Sequence, residues 1–242
     1  MTKKLTFYHF FEDRLNLYGD RGNIMVLANR AKWRGIEVDV HHINNAKDAN
    51  LADADFFHIG GGSDREQGLI VDDLFLIKDE FTAAIEDGVV GLTICGGYQI
   101  IGEYYELANG DKIPGLGVLD YHTKAMKPGE RLIGNILLQS EEFGQIVGFE
   151  NHSGETFHNY DVLGTVISGY GNNRTDNKEG LVYKNLIGTY LHGPVLSKSS
   201  VLADALLSRM LERKYGDGTL EPLADTFERL GNQQQWDLFA KA

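Results

Sequence analysis

Two periods of apolar residues share the first hundred positions. Leu5 to Phe10 is an apolar run of strand length, and the chain leaves it through a polar, turn-rich loop, Asn16-Leu17-Tyr18-Gly19-Asp20-Arg21-Gly22-Asn23. Ile24, Leu27, Ala28 and Ala31 then recur at i, i+3, i+4 and i+7, which predicts a helix with one buried face, and Gly35 stands where a C-terminal cap belongs. Ile36 to Ile43 reads as a second strand. Asp55 to Ile59 reads as a third, ending on Gly60-Gly61-Gly62-Ser63-Asp64. A helical pattern over 64–87, broken near Asp72 and Asp73 and stopped by Gly88, leads into a fourth strand, Val89 to Ile94. That strand runs directly into Cys95-Gly96-Gly97, and Tyr98 to Tyr105 is again helical. This order predicts an α/β fold, a doubly wound, mostly parallel sheet flanked by helices.

Beyond Gly110 the pattern changes to short β-rich pieces between glycine and polar turns: 117–123, 132–139, 145–151, 164–170 and 181–191, expected to extend or flank the sheet. Ser197 or Ser199 can cap a long helix through Tyr215, with Val201, Leu202, Ala205, Leu206 and Met210 inward. These elements predict one domain over 1–215. Residues 216–242 read as a weakly helical tail in which Leu223, Phe227 and Leu230 share a face.

Composition sets outer limits on function. Of 242 residues, 42% are hydrophobic and 24% charged, with 29 Gly and 4 Pro, a globular profile. The formal charge of -12 repels phosphate backbones and anionic headgroups, so nucleic acid is not an expected partner. No apolar run approaches the ~20 residues of a membrane span, and the opening residues lack a secretory pattern, so no membrane insertion and a cytoplasmic location are expected. The one cysteine excludes an internal disulfide and any Cys-based zinc site, and no metal site is expected.

That cysteine sits in Leu92-Thr93-Ile94-Cys95-Gly96-Gly97-Tyr98-Gln99, after an apolar strand and before a helix. A residue at so sharp a turn projects its side chain above the sheet in a strained conformation, and the helix start favours a thiolate. Two glycines at a helix start are costly unless the backbone must approach something closely. A cysteine nucleophile needs a base. His192, in Gly188-Thr189-Tyr190-Leu191-His192-Gly193-Pro194, and His152, in Phe149-Glu150-Asn151-His152, both end β-like runs, and spacing does not choose between them. The glycine run ends a strand too. Amides of Gly61 or Gly62, with that of Gly96, are candidate donors to an oxyanion. No Gly-Lys-Ser, Gly-Lys-Thr or G-x-G-x-x-G follows, which argues against bound nucleotide in this chain.

Ile94-Cys95-Gly96-Gly97-Tyr98-Gln99 and Gly188-Thr189-Tyr190-Leu191-His192-Gly193 resemble the nucleophile and histidine motifs of class I, triad-type glutamine amidotransferases, in the cobyric-acid-synthase-like branch. The resemblance implies that Cys95 is the nucleophile, His192 its base, and Arg131 and Gln99 ligands of the substrate L-glutamine. A guanidinium fork suits an α-carboxylate. Finer likenesses, in 17–23, 60–67, 148–152 and 169–173, are to glutaminase subunits that pair with a Mur-ligase-like synthetase. They imply a heterodimer in which this chain carries no cofactor, while the partner uses ATP and Mg to amidate D-glutamate of lipid II. The alternatives are a cobyric-acid-type synthetase partner or a non-catalytic binding module. Two positions depart from the pattern: Thr93 stands where relatives have glycine, and Pro194 where many have glutamate. The third member of the triad is therefore unassigned, and an acid from the partner chain is the expectation.

Overall fold

The computed structural model describes residues 2–240. In chain order the strands and helices are β1 (Lys4–Phe10), α1 (Gly22–Lys32), β2 (Glu37–Ile43), β3 (Phe56–Ile59), α2 (Asp64–Phe75), α3 (Lys78–Glu86), β4 (Val90–Ile94) and α4 (Gly96–Ile101). The β-rich half follows: β5 (Tyr104–Glu106), β6 (Lys112–Pro114), β7 (His122–Ala125), β8 (Leu132–Ser140), β9 (Gly144–His152), β10 (Gly154–Phe157), β11 (Gly164–Ser168), β12 (Lys178–Glu179), β13 (Leu181–Tyr183) and β14 (Leu186–Thr189). Three helices close the chain, α5 (Val195–Lys198), α6 (Ser200–Tyr215) and α7 (Thr226–Phe239).

The central sheet has the order β13-β14-β4-β3-β1-β2. All its pairings are parallel except that of β13 with β14 at one edge. Strand order reverses between β1 and β3, and in such sheets the crevice at the carboxyl ends there receives the ligand. Phe7, Phe56, Phe57, Leu92, Ile94 and Ile187 are completely buried along these strands, as expected of parallel strands covered on both faces.

Most of the later strands flank the central sheet rather than extend it, one of the two arrangements expected for them. They form two four-stranded sheets of their own, β10-β7-β5-β6 and β12-β11-β8-β9, and only the β13–β14 hairpin returns to the centre. The long antiparallel pairing of β8 with β9, continued by β11 on the other side of β8, builds a sheet with no parallel neighbour. Two boundaries also move, and a choice between two helix caps is made. The break between α2 and α3 lies at Leu76 and Ile77, because Asp73 stays helical while its carboxylate accepts the Ala46 N–H at 2.9 Å. Helix α4 ends at Ile101, since Tyr104, Tyr105 and Glu106 pair with both β6 and β7. Of the two candidate caps for α6, Ser199 accepts the Leu202 N–H at 3.3 Å.

Charge anchors the start of the tail. Arg30 on α1, almost wholly buried, holds Asp204 on α6 and Asp225 before α7 through contacts of 2.6–2.9 Å. Phe227 and Leu230 stay exposed, and Leu223 precedes the helix.

Candidate active site

Four segments leaving the carboxyl ends of the central strands converge. After β4 the chain turns through Cys95 with φ 50° and ψ -105°, a conformation that costs a non-glycine residue about 1–3 kcal/mol. Neighbouring elements hold it there. The Cys95 N–H donates to Thr189 O on β14 at 2.8 Å. Gly97 packs so tightly on β3 that a Cβ there would lie 2.4 Å from Ile59 O, which is the close approach the Gly-Gly pair implied. Cys95 is buried, with 7% of the residue exposed.

His192 follows β14 and is fixed by β9, which exchanges two backbone hydrogen bonds with it through Phe149 (3.1 and 2.8 Å). The side chains of His192 and Cys95 meet at the glycine run. A Cβ built on Gly61 would stand 2.7 Å from His192 Cε1 and 3.3 Å from Cys95 Cβ. Only glycine leaves both groups in place. The partner of the imidazole is Asp20, from the loop after β1: its Oδ1 and Oδ2 lie 3.0 and 3.1 Å from His192 Nδ1, and both residues are completely buried. The acid expected from a partner chain is supplied by this chain.

Asp20 also accepts the Gly61 N–H through Oδ2 at 2.8 Å. That amide orients the triad acid, which removes Gly61 from the oxyanion donors. The N–H groups of Gly62 and Gly96 have no hydrogen-bond partner among the described residues.

Burial works against a charged imidazole, but the hydrogen bond that Nδ1–H donates to Asp20 and the nearby Cys95 thiol outweigh it, so the proton affinity of His192 rises well above the usual histidine range. Nε2, the nitrogen opposite Asp20, is buried without a hydrogen-bond partner among the described residues. With Nδ1 committed to Asp20, Nε2 is the atom free to take the thiol proton.

Tyr18 packs against the histidine. Its ring lies 4.9 Å from that of His192 and 5.3 Å from Phe149, in a turn where Tyr18 itself has φ 56°. Asn151 on β9 donates to the Tyr18 hydroxyl, and Arg131 donates to Asn151 Oδ1 (2.6 Å) and O (3.2 Å). Arg131 is therefore connected to the histidine side of the site through two side chains. Gln99 lies on the other side, nearly buried. It accepts from Gln67 Nε2 at 3.0 Å and donates to the Tyr190 hydroxyl at 3.1 Å, and Gln67 itself borders Gly96. His152 is placed elsewhere: it stacks on Tyr190 with ring centroids 3.7 Å apart, and its Nδ1 is 2.7 Å from Gly154 O.

Sequence reasoning missed Asp20 and Gln67, although both lie in segments that carried the family likeness. The available signal for Asp20 was position, an acid in the loop leaving a central strand. One acid among 35 is not singled out by that alone.

Residues 7–200 match the CobB/CobQ-like glutamine amidotransferase domain. The chain is 52% identical over 211 residues to the lipid II isoglutaminyl synthase (glutamine-hydrolyzing) subunit GatD of Staphylococcus aureus strain N315, covering 87% of this chain and 86% of that one. It is 41% identical over 218 residues to the subunit of the same name from Streptococcus pneumoniae, covering 88% and 83%. A probable cobyric acid synthase of Methanopyrus kandleri is 34% identical over 139 residues, covering 48% of this chain and 26% of that one. Among solved structures, a glutamine amidotransferase superposes with a TM-score of 0.58 at 18% identity, covering 84% of this chain and 98% of that one. PurLQS of Thermotoga maritima gives 0.56 at 13%, covering 88% and 97%. At such identities the structural likeness concerns the fold. On the family match and the two long alignments, the chain belongs to the CobB/CobQ-like glutamine amidotransferases.

Proposed function

We propose that this chain is the glutamine-hydrolysing subunit of a lipid II isoglutaminyl synthase, releasing ammonia from L-glutamine through a thioester on Cys95. The observation that carries the reading is the Asp20–His192–Cys95 constellation beneath a strained strand-to-helix turn. It is supported by long alignments to two subunits of that name.

In the proposed reaction Asp20 holds Nδ1–H, Nε2 accepts the thiol proton, and the thiolate attacks the side-chain carbonyl carbon of glutamine. The tetrahedral oxyanion takes hydrogen bonds from the Gly62 and Gly96 amides, where losing one such donor typically costs about 3 kcal/mol. Imidazolium returns its proton to the departing ammonia. Water, activated by Nε2, then cleaves the γ-glutamyl thioester to glutamate. Arg131 is assigned to the substrate α-carboxylate and Gln99 to the substrate side of the nucleophile.

Ammonia needs an activated acceptor. We assign that step to a Mur-ligase-like synthetase partner in a heterodimer, which would use ATP and Mg to activate the α-carboxyl of D-glutamate in lipid II, giving D-isoglutamine in the cytoplasm. No helix among the described residues is long and apolar enough to cross a membrane. The test is copurification from the native host followed by glutamine-dependent amidation of lipid II. A Mur-ligase-like chain in the complex and amidation lost in Cys95→Ala are expected. A corrin-amidating partner would replace the acceptor while leaving the glutaminase intact, and unchanged ammonia release by Cys95→Ala would overturn the chemistry itself.

A further inference from the structure

Three histidines form one cross-strand row near the carboxyl ends of the central strands: His42 on β2, His9 on β1 and His58 on β3, with His9 in register with both others. The ring of His58 is fully engaged, Nδ1 with Leu92 O at 2.8 Å and Nε2 with Asp20 O at 3.2 Å. The ring of His9 is not. It is completely buried, and neither nitrogen has a hydrogen-bond partner among the described residues. A neutral imidazole always carries one N–H, and burying that donor unpaired costs about 1–3 kcal/mol. Protonating the ring in the core would cost more.

Its nearest acid is Glu12, in the loop after β1. Glu12 Oε2 lies 3.1 Å from His9 Nδ1 and 2.9 Å from Nδ1 of His42. The approach to His9 has the length of a hydrogen bond but not its direction. Around a tetrahedral zinc ion, ligand atoms about 2.0–2.1 Å from the metal stand roughly 3.3 Å from one another, and each lone pair points at the metal rather than at the neighbouring ligand. A short N···O separation that fails as a hydrogen bond is what that geometry produces. One donor atom from each of the three residues lies within 4.8 Å of the others. The side chains of His42 and Glu12 are 51% and 26% exposed, which gives an ion a route in from solvent.

We propose that His9, Glu12 and His42 form a binding site for a divalent transition metal of the zinc class, through both Nδ1 atoms and the Glu12 carboxylate. Two imidazoles and one carboxylate suit zinc, and the remaining coordination position opens toward water. The site is separate from the catalytic triad and does not depend on the glutaminase reading. No sequence motif announces it, because its ligands come from one strand, the loop beyond it and the neighbouring strand.

The test uses the full chain, wild type and Cys95→Ala, the latter removing the thiol that would compete for metal. After chelator treatment each is titrated with Zn²⁺ by calorimetry and with Co²⁺ by visible absorbance. One equivalent bound at micromolar or better affinity, with the intense bands of four-coordinate Co²⁺, is expected in both. His42→Ala and Glu12→Gln, at partly exposed side chains, should each weaken binding by on the order of 100-fold or more with an unchanged circular dichroism spectrum. Zn²⁺ should raise the thermal midpoint of the parent and not of these variants. Binding no tighter than millimolar, or equal affinity in parent and variants, would overturn the proposal.

Discussion

Replacing Asp20 by Asn removes one charge and almost no volume, and the geometry states why that should be severe. Oδ2 faces both the Gly61 N–H (2.8 Å) and His192 Nδ1 (3.1 Å), while Oδ1 lies 3.0 Å from the same nitrogen. An amide cannot serve all three contacts. With its oxygen kept on Gly61, its NH₂ stands at Nδ1 and drives the imidazole proton to Nε2, the nitrogen that must accept from Cys95. With the amide turned over, two N–H donors oppose each other at Gly61. Loss of a charge-assisted hydrogen bond is worth about 1.5–3 kcal/mol, and the wrong tautomer adds to it. Asp20→Asn should therefore lower glutamine-dependent ammonia release by roughly 10²- to 10⁴-fold, the upper end being the loss seen when a triad acid is neutralised. The pH profile separates this from a merely structural loss. Asp20 helps raise the proton affinity of His192, so without it the imidazolium is lost at lower pH and the basic limb of the rate profile should move down. A variant within threefold of wild type, or one with reduced rate and an unmoved limb, would refute the role given to Asp20.

Arg131→Ala should raise KM for glutamine by about 10- to 100-fold with kcat little changed, as expected for binding shared by ground and transition states; a fall in kcat at constant KM would contradict it. Glu179 is completely buried, and desolvation pushes its carboxyl up to about 8 despite hydrogen bonds from Thr189 and Tyr190. An acid whose pKa is raised by folding favours the native state below its unfolded value and loses that contribution as pH rises from about 4.5 to 8. Glu179→Gln should thus gain thermal midpoint over wild type increasingly across that window, and a constant difference at all pH values would count against it. Gly97→Ala would place a methyl 2.4 Å from Ile59 O, and denaturant unfolding should show a loss of about 1–3 kcal/mol, unless β3 and α4 separate more easily than the packing indicates.

The parallel core was legible because each of its early strands is a nearly continuous apolar run followed by a helical period or a glycine turn. Cys95 was legible for the same reason, at the junction of two such signals. The β-rich half was not, since short alternating strands such as 117–123 and 164–170 carry no information about which sheet they join. Asp20 and His192 lie far apart in sequence, and their pairing depends on β1 and β14 ending at the same rim, a property of topology rather than of local pattern. The amide of Gly61 illustrates a second limit. Its position beside Cys95 is foreseeable from the strand ends, but its engagement by Asp20 depends on how the loop after β1 folds back.

The account stands on one covalent intermediate. The chain, with its synthetase partner, is turned over on glutamine, quenched in acid and mapped by peptide mass. The account predicts a γ-glutamyl adduct on the peptide carrying Cys95 and none in Cys95→Ala. Steady ammonia release with no adduct on Cys95, or an adduct on another residue, would contradict it.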